Sequence, residues 1–339
     1  MTLQQSALHS AAASEYRAAT EGSAVHDVSH LGRLKASGAD ALDLLNRLST
    51  NKVVDLQPGQ GAPTILTTDR GRILDLVSVV NTGEYVLLIT SPGTQQTVID
   101  WLDKYTIMED LAVEDLTAST RMLAVFGPES RATVEPAAGI SLDHLPPYHT
   151  APAEAGGCQA RIIHQPLAEL PCFYLVVSAE AAPRVWQALA DSGATSVSAE
   201  AYEAVRVLRG IPSHGREIGE DYNPLEAGLI GCIDFAKGCY IGQEVIARLD
   251  TYQKIQKYLV NLTFGPGSTI SEGAYLGLNG QTVGKVTSAA TNPATGETVG
   301  LAYVRKGTAA EGGRLELQEP WEGVAEIRGL CQLFGPGQE

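Results

Sequence analysis

Long hydrophobic runs are missing from this chain. The longest apolar stretches, such as Tyr85–Ile89 and Phe173–Val177, have the length of a buried strand. A membrane-crossing helix needs roughly 20 such residues, so no membrane association is expected. Runs of Lys or Arg are missing as well. The 24 basic residues face 39 acidic ones, for a net charge of −15. Nonspecific DNA or RNA binding draws on a positive surface that displaces phosphate counterions. The composition argues against that function and leaves room only for a local basic pocket for a small anion. The negative charge reads as a solubility device. Aromatic residues are scarce at 6%, whereas 35 glycines point to many turns and short strands. Cysteine is sparse and odd in number: Cys158, Cys172, Cys232, Cys239 and Cys331 lie far apart. That pattern fits free thiols in a reducing cytoplasm. Met1 to Ala13 lack the basic start and continuous apolar centre of a signal peptide, and a cytoplasmic location is expected.

What is present suffices for real cores. With 339 residues and 44% hydrophobic content, the chain fits two or three domains. Ser37-Gly-Ala-Asp40 resembles a capping box with Asp in place of Glu, and Leu42, Leu45 and Leu48 follow at helical spacing. Thr64–Thr68 and Ile73–Val80 read as a hairpin across Asp69-Arg-Gly-Arg72. Val98, Leu102 and Tyr105 mark an amphipathic helix over 94–105. Residues 140–171, rich in Pro, Ala and Gly, read as surface loops. Mixed helices and hairpins predict an α+β body over about 1–255. After Lys254, short strand candidates recur at 258–264, 281–288, 298–305, 314–318 and 324–330. They predict a small closed barrel or sandwich over 256–339. The body divides into residues 1–115 and 116–255, with a discontinuous boundary between them.

The informative segment is Lys237-Gly-Cys-Tyr-Ile-Gly-Gln-Glu-Val-Ile-Ala-Arg248. Gly238 and Gly242 let the backbone turn sharply or approach a ligand. Gln243 to Arg248 look like the start of a helix. A thiol in a loop before a helix, with Lys237 two residues away, is a candidate for a lowered pKa. Each residue has a plainer role open to it. Cys239 alone is more often an inert side chain, and Lys237 a solvated charge. Gln243 serves equally as a helix cap, and Glu244 with Arg248 as an i, i+4 pair. Cys232 and Cys239 are spaced unlike a structural zinc site, so no metal site is expected.

This segment closely resembles the signature of the YgfZ-type folate-binding proteins, with Phe235 and Gly210-Ile-Pro212 as flanks. His30-Leu-Gly, Ser37-Gly-Ala-Asp-Ala41, Leu48-Ser-Thr-Asn51, Gly71-Arg-Ile-Leu-Asp75 and Phe126-Gly-Pro128 resemble the wider T-protein (aminomethyltransferase) family. The resemblance spans about His30 to Arg305. It implies a three-lobed, cloverleaf α+β body with a C-terminal β-barrel, and folate in a central cavity. It also implies that Lys237, Gly238, Tyr240, Gly242, Gln243, Glu244 and Arg248 contact the cofactor, tetrahydrofolate or a one-carbon-substituted folate. Lys237 or Arg248 would neutralise its carboxylates, and Cys239 and Asp75 would carry the chemistry.

T-proteins transfer an aminomethyl-derived one-carbon unit, and Asp75 falls near their catalytic aspartate. Their Arg-x-Glu-Ala-Gly stretch, however, reads Arg206-Val-Leu-Arg-Gly210 here. Leu208 cannot accept the neighbouring N–H groups of a pterin as a carboxylate does. Recognition must differ, or Glu203 or Glu226 substitutes. The implied function is support of iron–sulfur cluster assembly or repair in client enzymes, tRNA-modifying ones included. A folate-dependent aminomethyl- or methyltransferase is the alternative. A cluster-handling scaffold using Cys239 would need a partner for its other ligands.

Overall fold

The computed structural model describes residues 3–265, 268 and 270–333. A helix, Leu3–Glu21, opens the chain. The first sheet has five strands in the order Gly61–Thr67, Ile73–Asn81, Val86–Thr90, Gly32–Ser37 and Ala112–Asp115, all antiparallel. The hairpin across residues 69–72 is present, and Gly71 takes φ 65°, a left-handed turn that glycine makes without a Cβ clash. Helices Ala41–Leu48 and Gln95–Tyr105 cover one face through Leu44, Leu45, Leu48, Val98 and Leu102. The capping box does not form. Asp40 makes no side-chain bond to its own helix. Its Oδ2 instead accepts from the Asp110 N–H at 2.8 Å, tying the helix start to a distant loop.

The second sheet runs Thr195–Ser196, Ala24–Asp27, Thr120–Phe126, Cys172–Ser178, Cys158–His164 and Thr150–Ala155. Its Ala24–Asp27 strand precedes the first sheet in sequence, so the chain starts one lobe, builds another and returns. Helices Ser130–Ala138 and Ala182–Asp191 cover its outer face. Residues 140–171 are not all loop: they hold the strands Thr150–Ala155 and Cys158–His164. Thr150–Ala155 lies at the sheet edge, where Pro152, with no N–H to donate, is tolerated. Its alanines give burial alternation without a strong hydrophobic signal.

The uncovered faces of the two sheets meet. Val80, Leu87 and Ile89 of the first pack with Met122, Phe126 and Tyr174 of the second, and with Ala201 and Val205 of helix Ala199–Leu208. The third lobe is a closed six-stranded barrel: Lys257–Phe264, Thr298–Arg305, Gln281–Thr291, Tyr275–Leu278, Arg314–Leu317 and Val324–Leu330. The α+β body and the C-terminal barrel are as the sequence predicts. The barrel docks on the last turn of Ala199–Leu208. Asn261 Nδ2 donates to the carbonyls of Val207 and Leu208, at 3.1 and 2.9 Å.

Candidate ligand-binding site

Between the two sheets, helix Ala199–Leu208 and the loop 211–218 lies a cavity of about 190 Å³. Leu76, Ile89, Val205 and Ile218 give it apolar walls, and Ser78, Ser91, Gln165 and His214 give it polar points. A second recess of about 440 Å³ adjoins it and shares His214 and Ile218. Among the described residues, no Asp or Glu lines the first cavity. Arg206 does line it, but its guanidinium is spent. It donates to Glu203 twice at 2.7 Å, to Glu217 at 3.2 Å, to the Ile211 carbonyl at 2.6 Å and to Ser288 of the barrel at 2.7 Å. Glu217, fully buried, in turn accepts from Ser288 Oγ and the Ser213 N–H. Arg206 thus locks the barrel to the body.

Asp75 is fully buried. It sits behind the cavity wall, under the start of helix Gln95–Tyr105. Its Oδ2 accepts from the Ser91 N–H at 3.0 Å and from Thr94 Oγ1 at 2.6 Å. Oδ1 has no partner. Burial raises its pKa, against the pull of Ser91, Thr94 and the neighbouring His214. Ser91 faces the cavity and Thr94 the adjoining recess, so the carboxyl is one residue removed from both.

Lys237 has a different place from the one expected. Its Nζ donates to the carbonyls of Asn46, Ser49 and Asn51 at 2.7, 2.8 and 2.6 Å. These are the end and exit of helix Ala41–Leu48, where carbonyls lack helical partners. All three ammonium donors are used, so Lys237 has no free donor to offer a ligand carboxylate. Burial draws its pKa down to about 8. Neither Lys237 nor Asp75 lines the cavity or its recess.

The rest of the motif follows Lys237 onto the first sheet, although the sequence places it with the second lobe. Ile241 is clasped by its N–H to the Arg47 carbonyl at 3.1 Å, and its carbonyl accepts from Thr67 Oγ1 at 2.6 Å. Gly242, φ 84°, starts helix Gln243–Thr251. A Cβ there would stand 2.6 Å from the Thr68 carbonyl. Tyr240 is buried among Leu225, Ile233, Ile246 and Ile255. Glu244 and Arg248 form an exposed pair at 3.1 Å. Gly238 and Cys239 are exposed, and Gln243 is half-buried. None of these residues lines the cavity or its recess. Cys239 is accessible, but it does not line the cavity or its recess.

Leu208 also turns away. It packs with Val207, Leu259, Val299 and Tyr303 at the barrel interface. Glu203 is held by Arg206 and Arg216. Glu226 lies near Arg72 and Lys257, its pKa raised by burial. Neither replaces the missing acid in the cavity. Ser78, Gln165 and His214 carry no motif around them, and sequence reasoning missed them.

Two sheets with helices on their outer faces, a cavity where they meet and a docked barrel define an aminomethyltransferase-like fold. The glycine cleavage system aminomethyltransferase T from Bartonella henselae shares it, with a TM-score of 0.84. The two are 21% identical, over 96% of this chain and 91% of that one. Residues 3–237 match the GCVT N-terminal domain, and residues 257–323 the glycine cleavage T-protein C-terminal barrel domain. A chloroplastic protein of Arabidopsis thaliana named as a transferase, At1g60990, is 32% identical, over 93% of this chain and 73% of its own length. The aminomethyltransferase of Thermosynechococcus vestitus is 29% identical, over 86% of this chain and 79% of its own. The chain belongs to the glycine-cleavage T-protein family, a family that uses tetrahydrofolate.

Proposed function

We propose that this chain is a YgfZ-type tetrahydrofolate-binding protein of the cytoplasm. It supports assembly or repair of iron–sulfur clusters in client enzymes, tRNA-modifying ones among them, and is not a standard aminomethyltransferase. The observation that carries the reading is the use made of the Lys237–Arg248 segment. Lys237, Ile241 and Gly242 pin it to the first lobe, while Cys239 and Phe235, the latter 46% exposed, are left facing outward. A thiol so placed meets a protein partner more readily than a ligand between the sheets.

The central cavity fits part of a folate. Drug-sized ligands occupy roughly 300–1,000 Å³, so about 190 Å³ takes the flat ring and not the whole conjugate. The adjoining recess, reached past His214, takes the remainder. Leu76, Ile89, Val205 and Ile218 would sandwich the ring. When bound, tetrahydrofolate supplies one-carbon or reducing chemistry.

The test pairs two measurements. Calorimetric titration with tetrahydrofolate should show one saturable site. Cys239→Ser, expressed in cells lacking the native protein, should fold and bind folate yet fail to restore iron–sulfur client activity. Full restoration by that variant sinks the maturation role, and no binding sinks the folate role.

One observation favours the alternative, a folate-dependent aminomethyl- or methyltransferase: Asp75 is kept buried with Oδ1 unpaired. Aminomethyl transfer by the pure protein at an authentic T-protein rate would reverse the order of the two readings.

A further inference from the structure

We infer that Gln165 is the specificity-determining residue of the central cavity, reading the adjacent N–H and C=O of a lactam-bearing bicyclic ring. The inference rests on the reading that a reduced folate ring occupies this cavity.

A pterin ring presents a lactam N–H, its carbonyl and an amine along one edge. Burying that edge without partners would cost more than the apolar walls return. Something in the cavity must both accept and donate. The usual acid position does neither, because Leu208 faces the barrel. Among the described residues the cavity has no carboxylate lining it, and Arg206 has its donors engaged. Burial lowers the pKa of His30, leaving a neutral imidazole with one donor and one acceptor on opposite sides of its ring. Hydroxyl groups such as Ser91 offer a single atom. Among the described residues, Gln165 is the one lining residue whose side chain carries an acceptor and donors side by side.

Its placement is fixed from both ends. The Gln165 N–H donates to the Cys172 carbonyl at 2.8 Å, anchoring the backbone to the second sheet. Its Oε1 accepts from Ser78 Oγ of the first sheet at 2.8 Å. The amide therefore spans the gap between the sheets in a set orientation. One lone pair on Oε1 and both Nε2 hydrogens remain without a protein partner. A ring lactam complements that pair, its N–H donating to Oε1 and its carbonyl accepting from Nε2.

Calorimetry on the full chain tests this with three probes: tetrahydrofolate, tetrahydropterin without the tail, and p-aminobenzoylglutamate without the ring. Gln165→Met keeps length and removes both hydrogen-bonding atoms. It should weaken tetrahydrofolate and tetrahydropterin about tenfold or more and leave p-aminobenzoylglutamate unchanged. Gln165→Glu should recover only part of the loss, since a carboxylate accepts the ring N–H but has no donor for the lactam carbonyl. An N3-methylated tetrahydropterin blocks the lactam N–H on the unaltered protein. It should bind wild type about tenfold more weakly than its parent, with no further loss in Gln165→Met. Wild-type affinity for tetrahydropterin in Gln165→Met overturns the inference, as does undiminished binding of the methylated ring to wild type. Wild type that binds none of the three probes refutes the folate reading instead.

Discussion

Two buried ionisable groups sit on opposite sides of the first sheet's story and are treated in opposite ways. Lys237 is only 8% exposed, and each of its ammonium hydrogens meets a carbonyl. Asp75 is 0% exposed, and half of its carboxylate has no partner. A buried charge whose hydrogen bonds are complete has become part of the frame. A buried group left incomplete costs stability. The motif lysine is thus fully taken up by the frame, whereas the strand aspartate is only half satisfied by it.

The largest effect should come from Lys237→Met, which leaves three carbonyls at a helix end without their donor. Denaturant unfolding should show a loss of about 3 kcal/mol, while the folded fraction keeps its tetrahydrofolate affinity. A folate-specific loss with wild-type stability would return Lys237 to the binding site and dissolve the contrast. Leu208→Glu restores the acid of the T-protein pattern by sequence but places it against the barrel. It should cost about 1–2 kcal/mol and leave folate affinity unchanged. A gain in affinity would mean that the barrel interface opens onto the cavity.

Asp75→Asn should behave unlike Lys237→Met, with stability at pH 7 equal or higher, within about 0.5 kcal/mol of wild type if equal. The raised pKa of Asp75 fixes the sign with pH. The folded carboxyl keeps its proton to higher pH than the unfolded one, so the folded state binds more protons in that window. Stability therefore falls as pH rises from the unfolded carboxylate range, about 3.9, through the folded value. Asp75→Asn should flatten that fall. A steeper fall in the variant would show that the ionised form is the one the fold favours. The smallest effect on the fold is expected for Cys239→Ser, with an unfolding midpoint matching wild type. A maleimide should label Cys239 ahead of the buried Cys172, Cys232 and Cys331. Equal labelling of all the thiols would place Cys239 in the frame beside Lys237.

Much of the fold was readable because it is local. The hairpin at Gly71, the helix ending at Tyr105 and most barrel strands follow from alternation, spacing and turn residues. Tyr275–Leu278 escaped because four residues interrupted by Gly277 carry too little pattern. Thr150–Ala155 escaped because its alternation is written in alanine. The capping box failed because Asp40 finds a better partner in the Asp110 backbone. The site was less readable. The Lys237–Glu244 motif stands out in the sequence, but it does not say whether its residues hold a ligand or hold one another.

Residue order alone pointed to the α+β body, to a C-terminal barrel or sandwich of short strands and to a glycine-flanked turn around Cys239. Local dihedral preference and hydrophobic period are properties of neighbouring residues. Tertiary structure alone decided what the polar side chains do. Lys237 finds its first acceptor 191 residues away, at Asn46. Ser78 meets Gln165 across 87 residues, from the other sheet. Whether a buried polar group is satisfied, and so whether it is frame or site, depends on atoms that only the folded chain brings within 3 Å.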